Sequence, residues 1–215
     1  MRVHGIIHSI QGESTLIGVR TAIVRLSGCN LRCRYCDTVT ASRGRGREMS
    51  IPEILRAVKI LGVKFALLTG GEPLLQKDAP ALVRALRSRG FFVSVETNGE
   101  TPIPPVILRN AHVVMDIKTP GSRIKRAADG RVLLKNLGIL KKTDELKFVI
   151  TSEKDYRWAR AAVRAGIARG RTTLFSPAGR GPRQRRFARR LAGWIIRDKL
   201  DARLQLQLHK AIGIS

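Results

Sequence analysis

With 215 residues, 43% of them hydrophobic, the chain can bury one substantial core, and a single domain over 1–215 is expected. It contains no stretch of about 18 apolar residues, which excludes a membrane-spanning helix. The formal charge of +25, from 41 Lys+Arg against 16 Asp+Glu, comes with only 5% aromatic residues, which argues for a solvated basic surface and against a stacking platform for single-stranded nucleic acid.

Arg2 is followed by a short apolar stretch interrupted by His4 and His8, too broken for a secretory leader, so a cytoplasmic protein with reduced thiols is expected. Residues 3 to 8 and 21 to 27 read as strands, joined by a polar connection that carries Gln11, Glu13 and Ser14. Arg25 interrupts the run Ala22-Ile23-Val24-Arg25-Leu26. Pattern alone puts it on the exposed face of an alternating strand; among core residues it would need an anion to receive it.

The stretch Cys29-Asn30-Leu31-Arg32-Cys33-Arg34-Tyr35-Cys36 holds all the cysteines. A C-x3-C-x2-C loop is too short for a useful disulfide, and an odd count leaves one thiol over. Metal is the better reading. Zinc would have to borrow a fourth ligand from His4, His8, His112 or His209. An iron-sulfur cube takes thiolates naturally, and three of them leave one iron open to another ligand. Three unligated thiols are the remaining reading.

Residues 37 to 50 read as a polar, basic loop. Ser50-Ile51-Pro52-Glu53 is a capping box that opens a helix with Ile54, Leu55, Val58 and Leu61 inward and Gly62 as its stop. A strand at 65 to 68 ends in Thr69-Gly70-Gly71-Glu72-Pro73, where paired glycines make either an ordinary turn or a place for a ligand to approach the backbone. A helix at 78 to 89 precedes a strand at 91 to 95, which ends in Glu96-Thr97-Asn98-Gly99. The strand at 112 to 115 ends in Asp116-Ile117-Lys118, and no clear element is read between 119 and 145. Strands at 146 to 150 and 172 to 175 follow, the latter ending in Ser176-Pro177-Ala178-Gly179, with helices at 154 to 168 and 183 to 199. Residues 203 to 208 alternate as a last strand and leave His209 and Lys210 near the chain end. Six strands that each deliver polar or glycine residues at the carboxyl end predict a partial, open parallel β/α barrel of about six strands.

Basic patches lie at Arg43, Arg45 and Arg47, at Arg123, Lys125 and Arg126, and along Arg180 to Arg190. They would bind nucleic acid nonspecifically at low salt, and no specific nucleic-acid partner is required. Arg32, Arg34 and the patch at 43 to 47 also suit the docking of an acidic electron-transfer protein near the cysteines.

The cysteine loop with an aromatic before its last cysteine resembles the signature of radical S-adenosylmethionine (SAM) enzymes. Ile10-Gln11-Gly12-Glu13, Arg25, Cys36-Asp37-Thr38, Thr69-Gly70-Gly71-Glu72-Pro73, Glu96-Thr97-Asn98-Gly99 and Gln207-Leu208-His209-Lys210 are together similar to the 7-carboxy-7-deazaguanine synthase family. The resemblance covers nearly the whole chain and implies a 4Fe-4S cluster on Cys29, Cys33 and Cys36 in a loop at 28–48. It implies SAM against Tyr35, Cys36, Asp37, Gly71, Glu72, Asp116, Ile117, Lys118 and Ser176, Pro177, Ala178 and Gly179. It implies Mg2+ through Thr38, and a pterin substrate against Ile10, Gln11, Gly12, Glu13, Arg25, Thr69, Glu96, Gln207, His209 and Ser215, with 203–215 capping it. Two positions depart from the pattern, Ser176 where glutamine is expected and Ser215 where proline is expected.

The implied reaction contracts the ring of 6-carboxy-5,6,7,8-tetrahydropterin with release of ammonia, toward 7-deazapurine tRNA bases of the queuosine or archaeosine type. SAM would be a regenerated cofactor, an electron donor such as flavodoxin or ferredoxin a partner, and a homodimer the assembly. Rival readings are a radical SAM activase that plants a glycyl radical on a partner protein, a zinc-stabilised basic tRNA-binding module, and a structural scaffold.

Overall fold

The structure, a computed structural model, describes residues 1–124, 130–179 and 181–214. Its strands are β1 (Arg2–Ile10), β2 (Arg20–Leu26), β3 (Arg47–Glu48), β4 (Phe65–Gly70), β5 (Phe92–Thr97), β6 (His112–Asp116), β7 (Glu145–Ile150), β8 (Thr172–Pro177) and β9 (Arg203–Leu204). The helices are α1 (Val39–Ser42), α2 (Ile51–Ile60), α3 (Ala79–Arg87), α4 (Pro105–Asn110), α5 (Arg131–Ile139), α6 (Glu153–Arg164), α7 (Gly181–Arg197) and α8 (Leu208–Ala211).

One sheet runs in the order β3-β1-β2-β4-β5-β6-β7-β8-β9. β1 pairs antiparallel with β2 and β3, and every other pairing is parallel. Six parallel strands of five to seven residues, β2 and β4 to β8, match the expected open barrel. Strands β3 and β9 end the sheet at opposite edges, so among the described residues it does not close.

Local chemistry starts α2 where the sequence indicates. The Ser50 hydroxyl accepts from Glu53 N–H at 3.4 Å while the Glu53 carboxylate accepts from Ser50 N–H at 2.7 Å, the reciprocal cap expected at α2. Ile54, Leu55 and Val58 of α2 and Leu82, Val83 and Leu86 of α3 then point inward. They pack in one core with Val24, Leu68, Val95, Met115, Phe148 and Phe175 from the sheet, and with Tyr156 of α6 and Leu191 of α7. Side chains alternate along a strand, so the opposite face of the sheet is left for other work.

Three readings need correction. Residues 37 to 50 are not a continuous loop, because α1 forms there and β3 adds to the edge of β1. Between 119 and 145 lie a 3-10 turn at Pro120–Ser122 and helix α5, whose inward Leu133 and Leu137 flank a buried Asn136. The final strand is only Arg203–Leu204, after which the chain turns into α8. No helix among the described residues is long and apolar enough to cross a membrane. Of the basic patches, Lys125, Arg126 and Arg180 lie outside the described residues.

Candidate active site

The carboxyl ends of the parallel strands surround a cavity of about 710 Å³. Arg25 enters from β2, Thr69 and Gly70 from β4, Glu96 and Thr97 from β5, Asp116 from β6, Lys147 from β7 and Ser176 from β8. The β1–β2 connection adds Gln11, Gly12 and Glu13, the cysteine loop adds Cys29, Cys33 and Cys36, and the C-terminal segment adds Gln207, His209 and Lys210.

The cysteine loop leaves β2 at Gly28, in the left-handed region at φ 94°. It is pinned from two sides, by Arg34 N–H donating to Ser122 O at 2.9 Å and by Glu72 N–H donating to Gly28 O at 2.8 Å. All three thiols are free, partly buried and face the cavity. Leu31 N–H points at Cys29 Sγ from 3.4 Å, and Asn98 Nδ2 lies 3.9 Å from the same sulfur. Burial pushes the Cys29 and Cys33 thiols up, so a cation is needed to hold them as thiolates. Among the described residues no three His, Cys, Asp or Glu gather as they would for a single ion. An iron-sulfur cube takes one thiolate per iron, and all three thiols line the same cavity.

The two glycines after β4 are close-packed. A Cβ on Gly70 would strike the carbonyl of Leu26, and one on Gly71 the carbonyl of Gly28 and the side chain of Cys29. Gly71 lines the cavity, and Glu72 does not. The Glu72 carboxylate is fully buried and turned inward, where Leu74, Thr97 and Asn98 donate to it. Its place is to shape the turn. Ile117 is also absent from the lining, buried in the core with its N–H donated to Lys147 O at 2.8 Å. Neither Glu72 nor Ile117, both expected against SAM, lines the cavity. Ser215 lies outside the described residues. Every other expected site residue faces the cavity.

The cavity wall carries both signs of charge. Lys118 Nζ donates to Asp116 Oδ2 at 2.8 Å and stands 5.9 Å above the Tyr35 ring. Burial alone would lower its pKa, but Asp116, together with Tyr35 and Cys33, holds it up. Burial likewise raises the Asp37 carboxyl by itself, yet the ion pair with Lys210 brings it down to about 2. Gln207 bridges Glu13 and Asp37, and Leu208 N–H donates to Gly12 O at 2.9 Å, which seats α8 over the cavity. A Cβ on Gly12 would fall on the His209 ring and displace it. Glu96, partly buried in the cavity wall, is pushed up to about 7 by burial.

Among the described residues, four polar atoms of the wall are buried without a partner: Arg25 Nε, Gln11 Nε2, Tyr35 Oη and Asp116 Oδ1. Unpaired polar atoms are costly to bury, and two N–H donors, a hydroxyl and a carboxylate oxygen in the wall of a cavity fit a polar ligand. Arg25 therefore follows the ligand-facing reading over the exposed-strand one.

Lys147, Asn98 and Lys210 also line the cavity and were not assigned from sequence. Lys147 could have been found as a charge inside the buried run Leu146-Lys147-Phe148, in register with Asp116. Of the histidines weighed as metal ligands, only His209 lines the cavity; His112 pairs with Glu145 at 2.9 Å and His4 contacts Arg45 O at 3.0 Å.

Residues 23–182 match the family model described as the radical SAM superfamily. A 7-carboxy-7-deazaguanine synthase of Chlorobaculum tepidum is 39% identical over 99% of this chain and 94% of its own length. One from Methanospirillum hungatei is 37% identical over 100% of this chain and 86% of its own. The solved structure of Escherichia coli QueE superposes with a TM-score of 0.71 at 19% identity, covering 97% of this chain and 94% of that one, a likeness of fold. A radical SAM enzyme implies a 4Fe-4S cluster and SAM, and the cysteine loop and cavity are consistent with both. The chain belongs to the 7-carboxy-7-deazaguanine synthase family of the radical SAM superfamily.

Proposed function

We propose that the chain converts 6-carboxy-5,6,7,8-tetrahydropterin to 7-carboxy-7-deazaguanine and ammonia, in the supply of 7-deazapurine tRNA bases. The observation that carries this is one cavity with three free thiols at its rim and an unpartnered, buried Arg25 Nε in its wall. When bound, the cluster and SAM supply a 5′-deoxyadenosyl radical that takes hydrogen from the substrate and returns it.

The chain's own residues hold and orient. Cys29, Cys33 and Cys36 hold the cluster, and the backbone at Gly71 and at Ser176 to Gly179 leaves room for SAM. Arg25 receives the pterin carboxylate through its guanidinium fork, and Gln11 Nε2 donates to the pterin beside it. Glu96, poised near neutrality and accepting from Thr69 Oγ1 at 3.2 Å, is suited to take up or return a proton at the substrate. His209 and Gln207 close over it from the C-terminal segment. Thr38, whose hydroxyl donates to Gly70 O at 3.2 Å, would offer an oxygen to Mg2+, which would help hold the substrate's carboxylate.

We read residues 1–215 as one radical SAM domain, with the cluster loop at 28–48 and the cap at 203–215. The exposed Arg32, Arg34, Arg43, Arg45 and Arg47 beside the cluster loop support an acidic electron donor, flavodoxin or ferredoxin. A cytoplasmic homodimer is the assembly expected of the family. The test is anaerobic incubation with the pterin, SAM and reductant. Formation of 7-carboxy-7-deazaguanine with one ammonia supports the reading; cleavage of SAM with the pterin untouched contradicts it.

A further inference from the structure

Lys147 has no part in the function as read so far, yet its position is among the most constrained in the cavity. On β7, Leu146, Phe148 and Ile150 enter the core, while Lys147 and Val149 face the cavity. The lysine is 7% exposed, and a cation buried that far persists only where counter-charges surround it. Glu13 of the β1–β2 connection is ion-paired to its Nζ, and Asp116 at the end of β6 lies 3.8 Å away. Glu96 at the end of β5 acts on it electrostatically as well.

Glu13 divides its oxygens between two distant parts of the chain. Oε2 meets Lys147, and Oε1 accepts from Gln207 of the C-terminal segment. The Glu13 N–H donates to Gln11 Oε1 at 3.2 Å, which turns the free Gln11 Nε2 toward the cavity. Glu13 and Glu96 repel each other across the same wall, and Lys147 opposes that repulsion.

We propose that Lys147 is a positioning residue for the substrate end of the cavity. It fixes the Glu13 carboxylate, and through it Gln207, in the arrangement that receives the pterin beside Arg25 and Gln11. This rests on the functional reading above.

Two measurements decide it. In thermal unfolding of the ligand-free chain, Lys147→Met lowers the Tm, and adding Glu13→Gln restores most of the loss because the stranded carboxylate is gone. Strictly additive effects would overturn the coupling. Where Lys147→Met alone does not fold, recovery of a folded chain in the double variant supports it, and failure to recover contradicts it. In steady-state kinetics of the reconstituted enzyme, Lys147→Met raises the pterin KM by about tenfold or more, while the KM for SAM moves less than about threefold. Lys147→Arg, which keeps the charge, recovers most of the pterin KM. Equal losses toward pterin and SAM, or no recovery with arginine, overturn the proposal. A wild-type enzyme that does not turn over the pterin contradicts the functional reading instead, and the unfolding cycle, which needs no substrate, then decides whether Lys147 holds Glu13.

Discussion

The backbone N–H of Asn98 donates to the Glu72 carboxylate at 2.7 Å, joining the turn after β5 to the turn after β4. Leu74 N–H and Thr97 Oγ1 donate to the same carboxylate at 3.0 and 2.8 Å. Glu72 N–H in turn donates to Gly28 O, one residue before Cys29, so three loops meet at one buried residue. In Glu72→Gln an amide NH2 faces groups that are themselves donors, at an expected cost of about 1–3 kcal/mol. The Tm of the apo chain should fall accordingly, and iron uptake on reconstitution should fall with it.

Gly71→Ala tests how closely the turn after β4 approaches the cluster loop. The new methyl would meet the Gly28 carbonyl and Cys29 Cβ, and Gly28 itself is held by Glu72 N–H. Backbone cannot yield there as a flexible side chain would. The variant should fold less stably and bind well under half the wild-type iron, read by absorbance after anaerobic reconstitution.

Arg25→Lys keeps the charge and removes the fork. A lysine cannot offer two parallel donors to a carboxylate, so the pterin KM should rise by about ten- to a hundredfold. Arg25 Nε has no partner in the ligand-free cavity, so thermal stability should change little. A large drop in Tm with an unchanged KM would assign Arg25 to the fold.

Glu96 gives the ligand-free chain a stability that depends on pH. Burial raises its carboxyl from 4.5 to about 7, with Glu13 adding to the rise and Lys147 opposing it. The folded chain thus keeps a proton that the unfolded chain releases near 4.5. That contribution is complete below about 4.5 and is lost as pH rises through about 7. Glu96→Gln should flatten the decline in Tm between these values. Asp37, held down at about 2, acts in the opposite sense and only in strong acid. The difference between the two pH profiles isolates Glu96 from His209, which burial holds below its ordinary range.

The strand ends were legible because each parallel strand runs from apolar residues into a polar or glycine turn. The capping box at Ser50 and the cysteine loop needed no tertiary knowledge either. Helix α5 was hidden because it follows Gly130 without a side-chain cap and places Asn136 where a helical pattern asks for an apolar residue. That asparagine is spent on other loops, donating to Gly99 O and Thr101 O at 2.9 Å and accepting from Ile103 N–H at 3.0 Å. Alternation over 203 to 208 suggested a strand, but pairing with β8 stops at Leu204, and the turn into α8 brings Gln207 and His209 to the cavity. Ile117 and Glu72 share motifs with true cavity residues, and only packing shows that both turn away. Lys147 escaped because period-two alternation does not say which face of a curved sheet holds the charges.

The most direct test is to reconstitute the chain anaerobically, count its metal, and follow SAM and pterin together under reducing conditions. About four iron and four sulfide per chain are expected, with many molecules of 7-carboxy-7-deazaguanine formed for each SAM consumed. One zinc per chain in a colourless protein, or SAM consumed while the pterin is left intact, would contradict the assignment of Cys29, Cys33 and Cys36 to a cluster that works on this substrate.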